Sequence, residues 1–154
     1  MGLYLDQGDV ASTVDVLPAT DRGWLAGMID GEGQVTIIRH GTRGYVVLAV
    51  ANTDREALEY ILHLCPGIGG GVYLVDRGLR GRKPSWRWQL LGRAASGVLE
   101  SLLPHLRIKQ KQAAVALEFQ RTRNQQGRRR TPEQRADDVL LIGIMRELNH
   151  RGSS

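Results

Sequence analysis

At residues 24–33 the chain reads Trp24-Leu25-Ala26-Gly27-Met28-Ile29-Asp30-Gly31-Glu32-Gly33. Together with the residue before it, this segment has glycines at 23, 27 and 31, which a helix aligns along one face. Each glycine inside a helix costs about 1 kcal/mol relative to alanine, so three on one face indicate that another backbone packs closely there. The apolar residues predicted to face the core are Leu25, Met28 and Ile29.

Two carboxylates close the same predicted helix. Asp30 and Glu32 lie at its C-terminal end, where the helix dipole disfavours negative charge. Carboxylates in that position suit the binding of a cation better than the stabilisation of a helix. We therefore interpret both residues as candidate cation ligands.

Length and composition predict one globular domain with short flanking segments. The chain has 154 residues, of which 42% are hydrophobic and 24% charged, and this balance is too apolar for wholesale disorder. No apolar run approaches the roughly 18 residues of a membrane span, and we expect neither a signal peptide nor a membrane partner. A single cysteine, Cys65, excludes an intrachain disulfide and indicates a reducing compartment.

The basic residues are unevenly distributed. The formal net charge is +5, and residues 77–93 contain six Lys or Arg and no carboxylate. Residues 107–130 contain one acidic residue, Glu118, among eight basic ones. Two such blocks favour a phosphate-binding surface, although solvated loops are the alternative interpretation.

The hydrophobic periods predict an α+β fold. Its core is an antiparallel four-stranded sheet with helices on one face, in the order αββαββα, followed by C-terminal helices. Residues 1–18 show no clear period and are interpreted as an N-terminal extension, 19–123 as the core domain, and 124–154 as a basic loop and helix. A capping box beginning at Thr53 predicts the start of the second core helix, and one beginning at Thr131 predicts the start of the last helix. The predicted strands are 34–40, 45–51, 72–75 and 85–91.

Several segments together resemble the LAGLIDADG homing endonuclease family. Residues 25–33, LAGMIDGEG, are similar to the nine-residue motif of the family, with Met, Gly and Glu at its fourth, seventh and eighth positions. Residues 52–56, NTDRE, resemble a second landmark, and 103–113, LPHLRIKQKQA, resemble the segment P-x-L-x-x-K-x-x-Q-A. Residues 148–152, LNHRG, resemble an ending of bacterial and phage members, so the similarity extends over about residues 20–152.

The resemblance implies a homodimer, because family members with a single motif pair through the motif helix. The residues implied to pack against the partner helix are Gly23, Ala26, Gly27 and Gly31. Two copies of Glu32 then meet at the two-fold axis. Glu32 and the main-chain carbonyl of Gly31 are the implied ligands of Mg²⁺, which prefers oxygen donors and retains several waters.

The resemblance also implies further catalytic residues. Lys109 occupies the basic position after the Pro-x-Leu segment, where it would support the transition state or align the attacking water. Asn52 would orient water near the metal, and the alternative is an asparagine that only ends a strand before a helix cap. Arg77 would supply a second positive charge near the scissile phosphate. The four histidines form no cluster with Cys65, so we predict no zinc site.

The outer face of the sheet is the implied DNA-reading surface, since a two-stranded ribbon fits the major groove. Strand alternation assigns to it Gln34, Thr36, Ile38, His40, Arg43, Tyr45, Val47, Arg80, Arg82, Arg87 and Gln89. The run Arg128-Arg129-Arg130 is interpreted as a contact to flanking phosphates.

The resulting expectation is an intron-homing DNA endonuclease of a bacterial or phage-infected cell. It would be cytoplasmic, take no small-molecule substrate, and make a Mg²⁺-dependent double-strand break in a long, near-palindromic DNA site. The first alternative is an RNA maturase for intron splicing, or a non-catalytic DNA-binding protein, on the same fold. The second is an interaction protein whose glycine-rich helix only dimerises, for which we expect weak, salt-insensitive DNA affinity.

Overall fold

A computed structural model describes residues 5–41, 43–124 and 129–151 of the chain. The helices are α1 (Gln7–Asp15), α2 (Ala19–Glu32), α3 (Arg55–Leu64), α4 (Gly92–Leu102), α5 (Gln110–Asn124) and α6 (Pro132–Arg151), with a short 3₁₀ turn at Leu103–His105 after α4. The strands are β1 (Gly33–His40), β2 (Arg43–Asn52), β3 (Val72–Asp76) and β4 (Ser85–Leu91). The predicted α+β class is confirmed.

The four strands form one antiparallel sheet in the order β1-β2-β4-β3. Val35 and Ile37 of β1 and Trp88 and Leu90 of β4 point into the core and are at most 8% exposed, as their alternation predicts. Helices α2, α3, α4 and α5 pack on this apolar face, which leaves the opposite face of the sheet open.

Residues assigned by sequence to an extension instead form helix α1. The Asp6 carboxylate caps this helix by accepting a hydrogen bond from the backbone N–H of Asp9 at 2.8 Å. Val10, Ala11 and Val14 are buried, and the helix packs against α4. Three small apolar residues give a weak periodic signal over nine residues, so this helix depends on tertiary packing rather than on a strong pattern.

Helices α1 and α4 approach each other closely at Gly97. A Cβ atom added there would lie 2.5 Å from Cβ of Val10, well inside van der Waals contact. We expect Gly97→Ala to lower the free energy of unfolding by about 1–3 kcal/mol, as overpacking does, measured by urea denaturation. The control is Gly143→Ala in α6, where an added Cβ meets nothing within 4 Å; equal effects of the two substitutions would contradict the close packing.

The start of α3 differs from the predicted capping box. The side chain of Asp54, not of Thr53, accepts the capping hydrogen bond, from the backbone N–H of Ala57 at 3.3 Å. Aspartate is at least as good an N-cap as threonine, so the cap lies one residue later. The second predicted box is confirmed, because Thr131 and Gln134 exchange side-chain-to-backbone hydrogen bonds of 3.1 and 3.0 Å.

A buried carboxylate joins α6 to α5. Asp138 is 8% exposed and binds the guanidinium groups of both Arg123 and Arg130. Burial acts to raise the pKa of Asp138, but the hydrogen bonds from the two arginines outweigh it and hold the pKa below its usual value. Arg130 is thus held within the protein, and its predicted role as a phosphate contact is wrong; Arg129 is exposed, and Arg128 lies outside the described residues.

Helix α6 then continues along the sheet to β1. The side-chain amide of Asn149 donates to the backbone carbonyl of Val35 at 3.0 Å. In the part of the chain that the structure describes, every helix is too short or too polar to cross a bilayer.

Candidate functional site

The last turn of α2 presents a carboxylate without a protein partner. Glu32 is the final residue of the helix and is exposed, and among the described residues no hydrogen bond or ion pair to its side chain is formed. Gly33 adopts an extended conformation, and its N–H donates the last hydrogen bond of the helix to the carbonyl of Ile29. The carbonyls of residues 30–32 therefore lack intrahelical donors, and that of Gly31 is available as a second oxygen ligand.

Asp30 has a different role from the one predicted. Its carboxylate accepts hydrogen bonds from three consecutive backbone N–H groups, those of Arg107, Ile108 and Lys109, at 2.8, 3.0 and 2.9 Å. These groups lead into α5, so Asp30 caps the entry to that helix across 77 residues of sequence. Three N–H groups take three of the roughly four lone pairs of the carboxylate, so the structure gives Asp30 the role of a helix cap instead of the cation ligand that the sequence suggested.

The same contact brings Lys109 to the end of α2. The Lys109 ammonium donates to the main-chain carbonyl of Asp30 at 3.2 Å, two residues before Glu32. The side chain is half-buried, which restricts the positions that the ammonium can reach. Lys109 is thus bound at the end of α2 that Gly31 and Glu32 close, and the sequence resemblance groups these three residues together.

This capping arrangement predicts a stabilising contribution from Asp30. We expect Asp30→Asn to lower the free energy of unfolding by about 1–3 kcal/mol, because an amide has one oxygen for three N–H donors and places its own NH₂ group against one of them. Denaturation in urea measures the effect. Asp54→Asn is the matched control, since asparagine and aspartate are equivalent N-caps. A loss no greater at position 30 than at position 54 would contradict the assigned role.

Asn52 and Arg77 lie at the same end of the sheet as Glu32. Strand β2 ends at Asn52, one strand away from the start of β1, and β3 ends just before Arg77 on the opposite edge. Three strand spacings, about 14 Å, therefore separate Arg77 from the end of α2. The structure brings Asn52 close to Glu32 but leaves Arg77 on the far edge, exposed in a loop.

Asn52 also has a local structural role. Its side-chain oxygen accepts a hydrogen bond from the backbone N–H of Asp54 at 2.9 Å, which turns the chain from β2 into α3. Both interpretations of this residue remain compatible with the geometry, because the amide nitrogen is not used in that contact.

On the open face of the sheet, a polar network extends across the strands. Arg87 donates from Nε to Oε1 of Gln89 at 3.2 Å and from Nη2 to Oε1 of Gln34 at 3.3 Å. The hydroxyl of Tyr73 donates to the same Oε1 of Gln89 at 3.2 Å. Sequence reasoning missed Tyr73, although its position opposite Arg87 in the pairing of β3 with β4 follows from strand alternation.

Most of the predicted DNA-reading residues are accessible. His40 stacks on Tyr45, with ring centroids 5.8 Å apart, and Arg82 lies 3.7 Å from Asp76. The exposed residues are Gln34, Ile38, His40, Arg43, Arg80 and Arg82, and the half-buried ones are Thr36, Tyr45, Arg87 and Gln89.

Val47 is an exception, because it is fully buried. It lies on a central strand between Thr36 of β1 and Leu91 of β4. The side chains of these two neighbours are at least as large as that of valine. The prediction that Val47 is accessible to DNA is wrong. Alternation gives the face to which a residue points but not how far its neighbours cover it.

The glycine face of α2 is bare. A Cβ added at Gly23, Gly27 or Gly31 would meet no atom within 4 Å, and all three residues are exposed. The protomer itself therefore gives no reason for glycine at these positions. Ala26, by contrast, is 2% exposed and belongs to the core, so its predicted place on this outer face is wrong. The turn of the helix points it inward beside Leu25.

One protomer does not contain a complete metal site. Within residues 5–41, 43–124 and 129–151, no three His, Cys, Asp or Glu side chains come close enough to hold a metal ion together. Cys65 is buried among apolar side chains, and this burial raises its pKa to about 11, so the thiol is neutral at physiological pH.

Comparisons with known proteins identify the fold. Neither a family sequence model nor a curated protein matches the chain. The homing endonuclease I-CvuI, solved with its target Sro1.3 in the presence of 2 mM Ca, matches with a TM-score of 0.65 and 23% identity, over 84% of this chain and 82% of that one.

Two further structures agree with this match. I-CvuI with the I-CreI target in 2 mM Mg, where the DNA is not cleaved, has a TM-score of 0.55 and 20% identity over 80% and 95% of the two chains. The archaeal intron-encoded homing endonuclease I-Vdi141I, complexed with DNA, has a TM-score of 0.55 and 14% identity over 84% and 97%. The chain therefore has the fold of the homing endonucleases.

Proposed function

We propose that this chain is a single-motif member of the LAGLIDADG homing endonuclease family, which makes a Mg²⁺-dependent double-strand break in a long, near-palindromic DNA site as a homodimer. One observation carries the proposal: the Glu32 carboxylate, which ends the motif helix, has no partner among the described residues, and the Lys109 ammonium binds the carbonyl of Asp30 two residues before it. The fold, whose solved neighbours bind DNA, supports a DNA substrate.

Pairing through α2 accounts for the bare glycine face. Two such faces allow helix backbones to approach more closely than side chains would permit, which offsets the cost of glycine in a helix. The helix ends, with Gly31 and Glu32, then meet at the two-fold axis. Each protomer supplies one carboxylate and one carbonyl, so the pair provides the oxygens that a single protomer lacks.

Oxygen donors in small number suit Mg²⁺, which binds through one or two carboxylates and retains waters for contact with phosphate. Glu32 and the Gly31 carbonyl would hold this ion. A bound cation of this kind supplies Lewis acidity toward water and phosphate oxygens.

The remaining residues act on the phosphate and the water. Lys109 would supply a positive charge to the scissile phosphate as negative charge develops there. Because the carbonyl of Asp30 already binds the Lys109 ammonium, the side chain would not have to be ordered during the reaction. Asn52 can donate from its amide nitrogen to orient the attacking water, while its oxygen remains bound to Asp54. Arg77, on the far edge of the sheet, would neutralise a phosphate farther along the strand.

The test is cleavage of a randomised plasmid library by the purified protein with Mg²⁺. We expect a recurrent cut site with near two-fold symmetry, read by sequencing the new ends, and no cutting when EDTA is added. Filter binding of duplex DNA and of an intron transcript distinguishes the alternatives. Binding of the transcript in preference to duplex DNA, without cleavage, would contradict the proposal and favour a maturase.

A further inference from the structure

The network on the open face of the sheet fixes the orientation of two glutamine amides. An arginine can only donate hydrogen bonds, so the atoms that it contacts on Gln34 and Gln89 must be the carbonyl oxygens. The Tyr73 hydroxyl adds a second donor to the oxygen of Gln89. The oxygen of Gln89 therefore accepts two hydrogen bonds, which fill both of its lone pairs, and the oxygen of Gln34 accepts one.

The sheet provides the space for this arrangement. Gln34 pairs with Ala49 on β2, and Ala49 pairs with Gln89 on β4, so the two glutamines flank an alanine. Arg87 pairs with a second alanine, Ala51. These small side chains leave room for the guanidinium group of Arg87 to cross β2 and reach Gln34 on β1.

The occupied oxygens change what a glutamine can recognise. A free glutamine reads adenine with both its oxygen and its nitrogen, because adenine presents one donor and one acceptor in the major groove. When both lone pairs of the oxygen are filled, as on Gln89, only the NH₂ group remains to read a base, and in the described part of the chain this group has no protein partner. Guanine is the base that presents two adjacent acceptors, N7 and O6.

We propose that Arg87 is a positioning residue that sets base specificity: together with Tyr73 it fills both acceptor positions of the Gln89 oxygen, and so makes this part of the sheet select guanine over adenine. The inference rests on the proposed function, since it concerns the DNA site of the same protein. Arg87 lies two residues before Gln89 and about 7 Å from the end of the sheet near Glu32. The selected guanine therefore lies in the part of each half-site nearer the cut.

The experiment is selection of bound duplexes from a randomised library, with Ca²⁺ in place of Mg²⁺ so that cleavage is not required. We expect the wild-type protein to enrich guanine over adenine about tenfold at the position read by Gln89. Arg87→Leu removes one of the two donors to the Gln89 oxygen, so that oxygen can accept from adenine again, and enrichment at that position is expected to shift toward adenine. Arg87→Lys keeps the charge but loses the planar fork that reaches both glutamines, and it is expected to weaken guanine selection less than Arg87→Leu does.

Two further variants separate positioning from general affinity. Tyr73→Phe removes the other donor to Gln89 and is expected to weaken guanine selection at the same position. Arg129→Leu removes an exposed arginine outside the sheet and is expected to weaken binding to all sequences evenly, without changing the base preference.

The outcomes distinguish this inference from the proposed function. Duplex binding without guanine enrichment, or with a preference that Arg87→Leu leaves unchanged, would overturn the role of Arg87 and leave the endonuclease proposal intact. No duplex binding by the wild-type protein would contradict both.

Discussion

Glu32→Gln is expected to abolish DNA cleavage while duplex binding is retained. The substitution keeps the size of the side chain but removes the negative charge that would hold Mg²⁺. Loss of a residue that only orients a metal ligand costs about 10–100-fold in activity or metal affinity, so loss of the ligand itself should exceed about 100-fold. Cleavage of a plasmid that carries the selected site measures the effect, and binding in Ca²⁺ is measured in parallel.

The control is Glu56→Gln, which changes an exposed glutamate in the first turn of α3. It should cleave at the wild-type rate. Glu32 is exposed and makes no contact among the described residues, so its replacement is not expected to lower the melting temperature. Normal cleavage by Glu32→Gln would show that the catalytic assignment is wrong.

Gly27→Leu is expected to separate the proposed homodimer into folded monomers of 17.1 kDa and so to abolish double-strand cleavage. A Cβ at position 27 meets nothing within 4 Å inside the protomer, and leucine favours helix more than glycine does. In the dimer, two leucines would occupy the space of the facing backbones. Overpacking costs about 1–3 kcal/mol for each inserted side chain, so the dissociation constant should rise at least about 30-fold.

Sedimentation equilibrium measures the change in mass, and thermal denaturation of the variant shows that the monomer is folded. Gly27→Ala is the graded control, with a smaller rise in the dissociation constant. A Gly27→Leu protein that remains dimeric would contradict pairing through the glycine face of α2. A wild-type protein that stays monomeric with its DNA bound would contradict the homodimer altogether.

Elements with a strong hydrophobic period could be predicted from the sequence. The hairpin of β1 and β2 and the alternation of Trp88 and Leu90 on β4 follow from side-chain direction in a strand, which is a local property. Helix α1 could not be predicted in the same way, since Val10 and Val14 become informative only when α4 covers them. The accessibility of Val47 could not be predicted for a related reason, because its burial depends on the neighbouring strands.

The site was predictable only in part. Glu32 and Lys109 were grouped by resemblance to a family, and their proximity is consistent with that grouping. The role of Asp30 was hidden, because its three hydrogen-bond donors lie 77 to 79 residues away in the chain. The helix dipole makes a carboxylate at a helix C-terminus unfavourable. Hydrogen bonds from three N–H groups of another segment offset this cost for Asp30.

The contact between Asp30 and the segment before α5 has a kinetic consequence. Because the contact orders Lys109 within one copy of the chain, the proposed mechanism leaves only the encounter of two folded chains to complete the site. At concentrations below the dissociation constant, the cutting rate of the proposed dimer should therefore grow with the square of the protein concentration. A cell that expresses this protein weakly would be protected from stray breaks by dilution alone.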